Sequence, residues 1–376
     1  MMILKSCFSQ ELLIRTVLTT CVSTFRCSLA TFAIERGIVN EAIGQVLGHD
    51  ITRIIPGREK GRAFRRGQLI TAADVPRLQD LGKEHIYIWE PGDELIHEDE
   101  AALRLAQSAA GPGIKLSEPS QGRVNLMAAY DGLLKIQVGQ LHWINNIDSV
   151  IFATLHNNRV VVKEQKLAGT RVVPLAVERS LVEEAEKLCS NPLPLVSVKS
   201  FKNLWTAVIT TGNEVCYGRI KDGFGRVIRK KITPFGGRFM SQTIVPDSPE
   251  IIAAEIKRFI GEGADFIIIT GGMSVDPDDV TPLGIKASGA EVVFYGAPVL
   301  PGSQFMLAYQ GHVPICGVPG GALYSKFTTL DLLLPRIFAE ERINRSDIVA
   351  LGHGGFCEEC KVCHYPACPF GKATYL

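Results

Sequence analysis

Regular alternation of apolar and polar positions begins near Ile38. "HDITRIIPG" and "GRAFRRGQLI" place apolar side chains at strand spacing, interrupted by Pro56, Gly57, Gly61 and Gly67, and predict short strands and turns. "ITAADVPRLQDLG" predicts a short helix with Thr71 as its N-cap, and "KEHIYIWE" an alternating strand. "IHEDEAALRLAQSAAG" has helical spacing, with acids at the positive N-terminal end and Gly111 as its stop. Over residues 122–174 strand spacing returns in "VNLMAAY", "GLLKIQV", "SVIFATL" and "NNRVVVKEQ", with Asp131-Gly132 as a hairpin turn. "LVEEAEKLCSNPLPLV" then supplies a helix and a proline-containing linker.

After residue 202 strands and helices alternate: "TAVITTG", "GGRFMSQTIV", "SPEIIAAEIKRFIGEG", "ADFIIITGG", "TPLGIKASG", "AEVVFYG", "VPICGVPG" and a last helix from Ala322. In the clearest unit Ser248 is the N-cap and Pro249 takes the first helical position. Ile252, Ile256 and Phe259 or Ile260 form one apolar face, and Gly261 or Gly263 ends the helix. "FIIIT" is apolar throughout, as expected of a strand covered by helices on both faces. The pattern predicts an α/β fold: a three-layer α/β/α domain over residues 202–345, preceded by a small α+β region over 34–111 and a strand-rich region with linker over 112–201.

A chain of 376 residues exceeds one ordinary domain, in keeping with this division. Lys and Arg number 40 and Asp and Glu 39, so no global field favours nucleic acid or an anionic membrane as main partner. An anion must be met locally, by loops and helix ends. Residues 1–33 carry Lys5, Arg15 and Arg26 against Glu11; two arginines within 12–34 argue against a membrane span, and no Ala-x-Ala site follows a clean apolar run. They read as an extension, either an upstream-assigned start or a loose leader. Ten cysteines are spread unevenly, four of them in a tail over 346–376, which argues for a reducing, cytoplasmic setting over a secreted disulfide framework.

Three glycine-bearing loops follow strand ends: "TTGNE" at 210–214, "TGGMSVDPDD" at 270–279 and "GVPGG" at 317–321. In an open α/β sheet such loops share the carboxyl edge, where backbone N–H groups and helix N-termini receive anions, phosphate above all. Thr211, Gly212, Asn213, Gly271, Gly272, Ser274, Pro319 and Gly320 are the candidate contacts. One Gly-Gly alone is more often a tight turn with no ligand; three such loops in order are harder to dismiss. Asp276, Asp278 and Asp279 would repel a phosphate unless a divalent cation stood between, which implies Mg²⁺; the alternative is that they cap "TPLGIKASG".

"TTGNEV", "TGGMSVDPDDVTP", "PGSQF" and "GVPGG", in this order and spacing, resemble the molybdopterin-binding domain of molybdopterin molybdenumtransferases and molybdopterin adenylyltransferases. The resemblance implies molybdenum-cofactor assembly: binding of molybdopterin or its adenylated form, insertion of molybdate with Mg²⁺-dependent release of AMP, and Asp279 and Glu214 as the catalytic acids. It also implies a homodimer and other cofactor-assembly proteins as partners. "DVTP" is similar to the adenylyltransferase branch, whereas the two preceding regions and the domain order are similar to the transferase branch. Asn213 stands where transferases have Asp, Gly321-Ala322 where they have Asn-Pro, and no Asp-Gly-Tyr-Ala motif is present. Adenylyl transfer and a non-catalytic carrier or sensor are therefore the alternatives.

In the tail, "GHGGFCEECKVCHYPACPFGK" spaces Cys357, Cys360 and Cys363 with two intervening residues each, and Cys368-Pro369 follows after four more. Four thiolates on a short loop suit a tetrahedral Zn²⁺ or a [4Fe–4S] cluster, and the run resembles the bacterial ferredoxin pattern apart from that last interval.

Overall fold

The computed structural model describes residues 34–55, 59–89, 94–274 and 276–372, so the expectation for residues 1–33 lies outside it. Two compact units divide the chain at Asp93 and Glu94. In the first, strand β1 (Ile34–Ile38) pairs antiparallel with β4 (His85–Trp89), and β2 (Ile51–Ile55) with β3 (Glu59–Phe64), around a core of Val39, Leu47, Ile51, Phe64, Ile70 and Leu78. Helix α1 (Asp74–Asp80) does not take Thr71 as its N-cap. A turn intervenes, and the buried Asp74 carboxylate reaches back to accept from the Thr71 N–H and hydroxyl at 3.1 and 2.6 Å.

The second unit opens with β5 (Leu95–His97) and α2 (Glu98–Ala109), so the expected boundary after residue 111 is displaced. The reason lies in the inner face of α2. Ala101, Ala102, Ala106 and Ala109 with Leu105 let it lie close on β7 (Arg123–Ala128) and β11 (Lys166–Val172) and share their core. β6 (Ile114–Leu116), β7, β11 and β9 (Val150–Thr154) make one sheet. β8 (Gly132–Ile136) lies between β10 (Val160–Val161) and β13 (Val196–Ser200) in another, the chain passing through α3 (Val138–Ile144), β12 (Ala176–Glu178) and α4 (Arg179–Ser190) on the way. Asp131-Gly132 is thus a corner between two sheets, not a hairpin; Asp131 accepts from the Lys163 N–H at 2.7 Å.

The rest is the expected α/β layer structure. Six strands run in the order β15 (Arg238–Val245), β14 (Trp205–Thr211), β16 (Phe266–Thr270), β19 (Val313–Val318), β18 (Met306–Gln310), β17 (Glu291–Tyr295). The first four are mutually parallel and only β18 is reversed, so β17 again points the same way as the rest. Alternate residues of β16 serve opposite faces. Phe266 and Ile268 pack with α6 (Phe224–Ile232) and α9 (Thr329–Phe338), while Ile267 and Ile269 pack with α7 (Pro249–Gly261) and α8 (Thr281–Ala287). Ser248 caps α7 through its side chain, and Gly263, at φ +92°, follows its end.

Helix α6 and strand β18 escaped the sequence reading, although Phe224, Ile228 and Ile232 form an apolar row four residues apart. The last helix does not start at Ala322. A single 3₁₀ turn covers Gly320–Leu323, and α9 begins at Thr329, where Thr328 and Asp331 form a reciprocal capping box. Among the described residues no helix is long and apolar enough to cross a membrane.

One buried acid joins the strand-rich part to the α/β part. Glu341, 7% exposed at its side chain, meets Lys135 of β8 at 2.8 Å, Lys199 of β13 at 3.0 Å and Arg336 of α9 at 2.8 Å. Burial alone would raise its pKa, but hydrogen bonds and charge from Lys135, with Arg336 and Lys199, hold the carboxyl down at about 2. Burial pushes Lys135 below its usual value despite this pairing, so the lysine carries much of the desolvation and Glu341 gains most from the cluster.

Because the folded pKa lies below the ordinary 4.5, the stabilisation is complete above that pH and is lost as pH falls towards about 2. Glu341→Gln is expected to cost about 3–5 kcal/mol, the range for breaking a buried ion pair. Urea unfolding of both proteins at neutral pH and in acid checks this: the gap should narrow as pH drops.

Candidate functional site

Four parallel strands and β17 end at one edge of the sheet, and the chain leaves each end through a connection: 212–223, which holds the one-turn helix α5 (Asn213–Cys216), 246–248, 271–280, 296–305 and 319–328. All three glycine loops of the sequence reading open here, as strand direction demands. Ser274 is exposed on the second, and Pro319 precedes the 3₁₀ turn of the third. A Cβ at Gly320 or Gly321 would meet nothing within 4 Å, so this loop keeps open space in front of its backbone.

The first two loops are clasped together. Gly271 has φ +89°, and a Cβ built on it would stand 2.2 Å from the Thr211 carbonyl oxygen, closer than any side chain tolerates. The Thr281 hydroxyl donates to the Gly271 carbonyl at 2.9 Å and lies 3.0 Å from the Thr211 hydroxyl; its N–H donates to the Gly272 carbonyl at 3.1 Å. Thr211 and Thr281 are both buried, so these bonds form out of competition with water.

Carboxylates stand on the loops that leave this edge. Asp247, in the short connection after β15, was not among the sequence candidates and is the most informative of them. Its Oδ2 accepts from the Asn213 N–H at 2.9 Å, whereas its Oδ1 is buried with no hydrogen-bond partner among the described residues. Burial raises its pKa, and Glu214, Asp279 and Asp278, in that order, raise it further. Acids of three loops therefore act on one another through their charge, although no three of them stand together as a metal-holding group among the described residues. Asp276 serves the turn instead, donating its N–H to Asp279 Oδ2 at 3.1 Å and accepting the Asp279 N–H at 3.0 Å. Asp279 is thus both a turn-forming residue and one of the charges that act on Asp247. The signal for Asp247 was available: a carboxylate one proline beyond a strand and directly before an N-cap serine.

A second polar chain missed in the sequence runs beneath. Gln242 Nε2 donates to Thr210 Oγ1 at 2.9 Å and to Asp222 Oδ2 at 2.8 Å, and Thr210 Oγ1 lies 3.1 Å from Thr270 Oγ1. Asp222 in turn accepts the N–H groups of Phe224 and Gly225 at the start of α6. This ties the helix N-terminus to two strand ends.

The chemistry of these acids suits a divalent cation, although among the described residues no three of them are placed together as a metal-holding group. The donors are hard carboxylate oxygens, they repel one another, and one buried oxygen lacks any proton donor. The tail cysteines stand elsewhere. Cys357 and Cys368 are half-buried against the α/β core, Cys360 and Cys363 are exposed, and among the described residues no three His, Cys, Asp or Glu side chains stand in a metal-holding group.

Comparison with known proteins agrees with the motifs. Residues 207–339 match the family model described as "Probable molybdopterin binding domain", and residues 38–90 match "Domain of unknown function (DUF8806)". A molybdopterin molybdenumtransferase of Synechococcus elongatus is 25% identical over 183 residues, 46% of this chain and 42% of that one. A molybdenum cofactor biosynthesis bifunctional protein of Chlorobaculum tepidum is 33% identical over 75 residues, 20% of this chain and 24% of that one. Among solved structures, the molybdopterin biosynthesis enzyme MoaB of Thermus thermophilus superposes with a TM-score of 0.30 at 21% identity, covering 35% of this chain and 90% of that one. The chain spans less than half the length of the curated relatives named here. The resemblance read in the motifs holds for the α/β part.

The clasp yields a paired prediction. Gly271→Ala adds a backbone clash to a left-handed φ and should cost at least about 2 kcal/mol. Gly289→Ala has the same conformation, φ +91°, but nothing within 4 Å of its Cβ, and should cost only about 1 kcal/mol. Equal losses in denaturant titrations would show that the Thr211 contact has no energetic weight.

Proposed function

We propose that the α/β part binds molybdopterin in its adenylated form and inserts molybdate with release of AMP, as a step of molybdenum-cofactor assembly. The observation that carries this reading is the buried Asp247 oxygen, without a hydrogen-bond partner among the described residues, on the sheet edge that also bears the loops of Glu214, Asp278 and Asp279. The matched family model and the names of the relatives support the ligand class. The choice of reaction is our own inference.

In this reading Asp247, Glu214, Asp278 and Asp279 hold Mg²⁺, which when bound offsets phosphate charge and polarises the phosphoryl group. The protein's own part is positional. The clasp on Gly271 keeps the first two loops at one height, and backbone N–H groups of the glycine loops receive phosphate oxygens. Asn213 has a definable task. Its N–H holds one oxygen of Asp247, and its Oδ1 stands 3.4 Å from the Asp247 N–H, so the amide orients the acid without adding another charge. The "DVTP" segment does not favour adenylyl transfer, because Thr281 closes the clasp and Pro282 lies in the first turn of α8. Both uses are structural.

Two variants test the reading. Mg²⁺ should raise the thermal midpoint of the wild type, and Asp247→Asn should remove that rise, since ligand-linked stabilisation vanishes with the site; at a hundredfold excess over Kd it amounts to about 2.7 kcal/mol. Asp279→Asn keeps the turn to Asp276 but removes charge, so folding should survive while molybdate-dependent AMP release falls by about 10²–10³ and pterin binding changes little. ATP consumption with free molybdopterin, in place of AMP release, would identify an adenylyltransferase; binding without turnover would identify a carrier.

A further inference from the structure

The cysteine-rich tail is built as a closed ring. Its ends meet where the Gly371 N–H donates to the Gly354 carbonyl at 2.9 Å, and Phe370 is buried in the α/β core. On one flank the tail pairs with the loop after β17: Leu300 N–H donates to Gly355 O and Cys357 N–H to Leu300 O, both at 2.8 Å. On the other, the Tyr365 ring lies 4.2 Å from the ring of Phe327, at the end of the third glycine loop and one residue before the capping box of α9. Both loops border the carboxyl edge of the sheet.

Between these anchors the ring has no packing of its own. Residues 357–364 form neither helix nor strand, and every side chain from Glu358 to His364 is exposed, with Glu359 in the left-handed region at φ +49°. Apolar burial cannot order such a segment. It nevertheless carries Cys360 and Cys363, while Cys357 and Cys368 sit at the two places where the ring meets the core. The four thiols are not grouped in this conformation, and surrounding one ion or cluster requires the exposed stretch to fold inwards over the ring's base.

We propose that Cys357, Cys360, Cys363 and Cys368 close on a single thiophilic metal centre, and that the closed ring clamps the loops at Leu300 and Phe327, and with them the rim of the carboxyl edge. Each ligating thiol releases its proton to solvent, so occupancy rises with pH. The proposal assumes nothing about a pterin ligand, and its failure would leave the preceding reading untouched.

The test uses the full chain purified without oxygen, wild type and Cys360→Ser/Cys363→Ser. Both replaced side chains are exposed, so the fold should persist. We expect near-stoichiometric metal in the wild type, lost in the double variant. Zinc without sulfide identifies an ion, and iron with acid-labile sulfide a cluster. Amide hydrogen exchange, with no pterin added, should quicken severalfold at residues 297–303 and 320–328 in the variant. Absence of metal, metal retained by the variant, a Cys360–Cys363 disulfide in place of metal, or unchanged exchange in both loops would each overturn the proposal.

Discussion

The candidate site depends on one close approach: the backbone of Gly271 against the carbonyl of Thr211. Neighbouring parallel strands lie about 4.8 Å apart, and loops leaving their ends ordinarily diverge because side chains need room. Here the absence of a Cβ lets two loops touch, and the Thr281 hydroxyl fastens them. Glu214 lies three residues beyond Thr211, and Asp279 two residues before Thr281. The backbone thus sets which acid-bearing loops are neighbours, and Asp247 is tied to the first of them through the Asn213 N–H.

Much of this was legible in the sequence because it is local. The three glycine loops, the Ser248 cap and the apolar strand of residues 266–270 follow from spacing and residue type alone. What stayed hidden involves partners far apart in the chain. Asp247 becomes notable only when β15 is known to lie beside β14, and Gln242 only when it is seen between Thr210 and Asp222. Asp131-Gly132 misled because the same dipeptide serves hairpins and corners between sheets. Thr71 misled because the cap-like contact runs backwards, from the Asp74 carboxylate to the threonine. Helix α6 went unread because glycines flank its start, although its apolar row was in plain view.

Reversal of a single strand also matters to the site. Because β18 runs against its neighbours, β17 resumes the common direction, and its outgoing loop joins the glycine loops at the same edge. That loop is where the tail pairs, at Leu300. The carboxyl edge is thus assembled from core strands on one side and from a cysteine-rich segment on the other. The two differ in what orders them: β16 and its helices are held by apolar burial on both faces, whereas the arc of the tail from Glu358 to His364 is exposed.

The three-cation cluster on Glu341 bears on cooperativity. The strand-rich and α/β parts each possess a hydrophobic core large enough to melt separately. A shared buried acid makes separate melting costly, because opening either part takes Lys135 and Lys199 away from Glu341. At neutral pH the two cores should therefore unfold in one transition, with calorimetric and van't Hoff enthalpies in agreement. Protonation of Glu341 in strong acid removes the link, and two independent melting events take its place. A single side chain in the connection after α9 in this way sets how many thermodynamic domains the second unit contains.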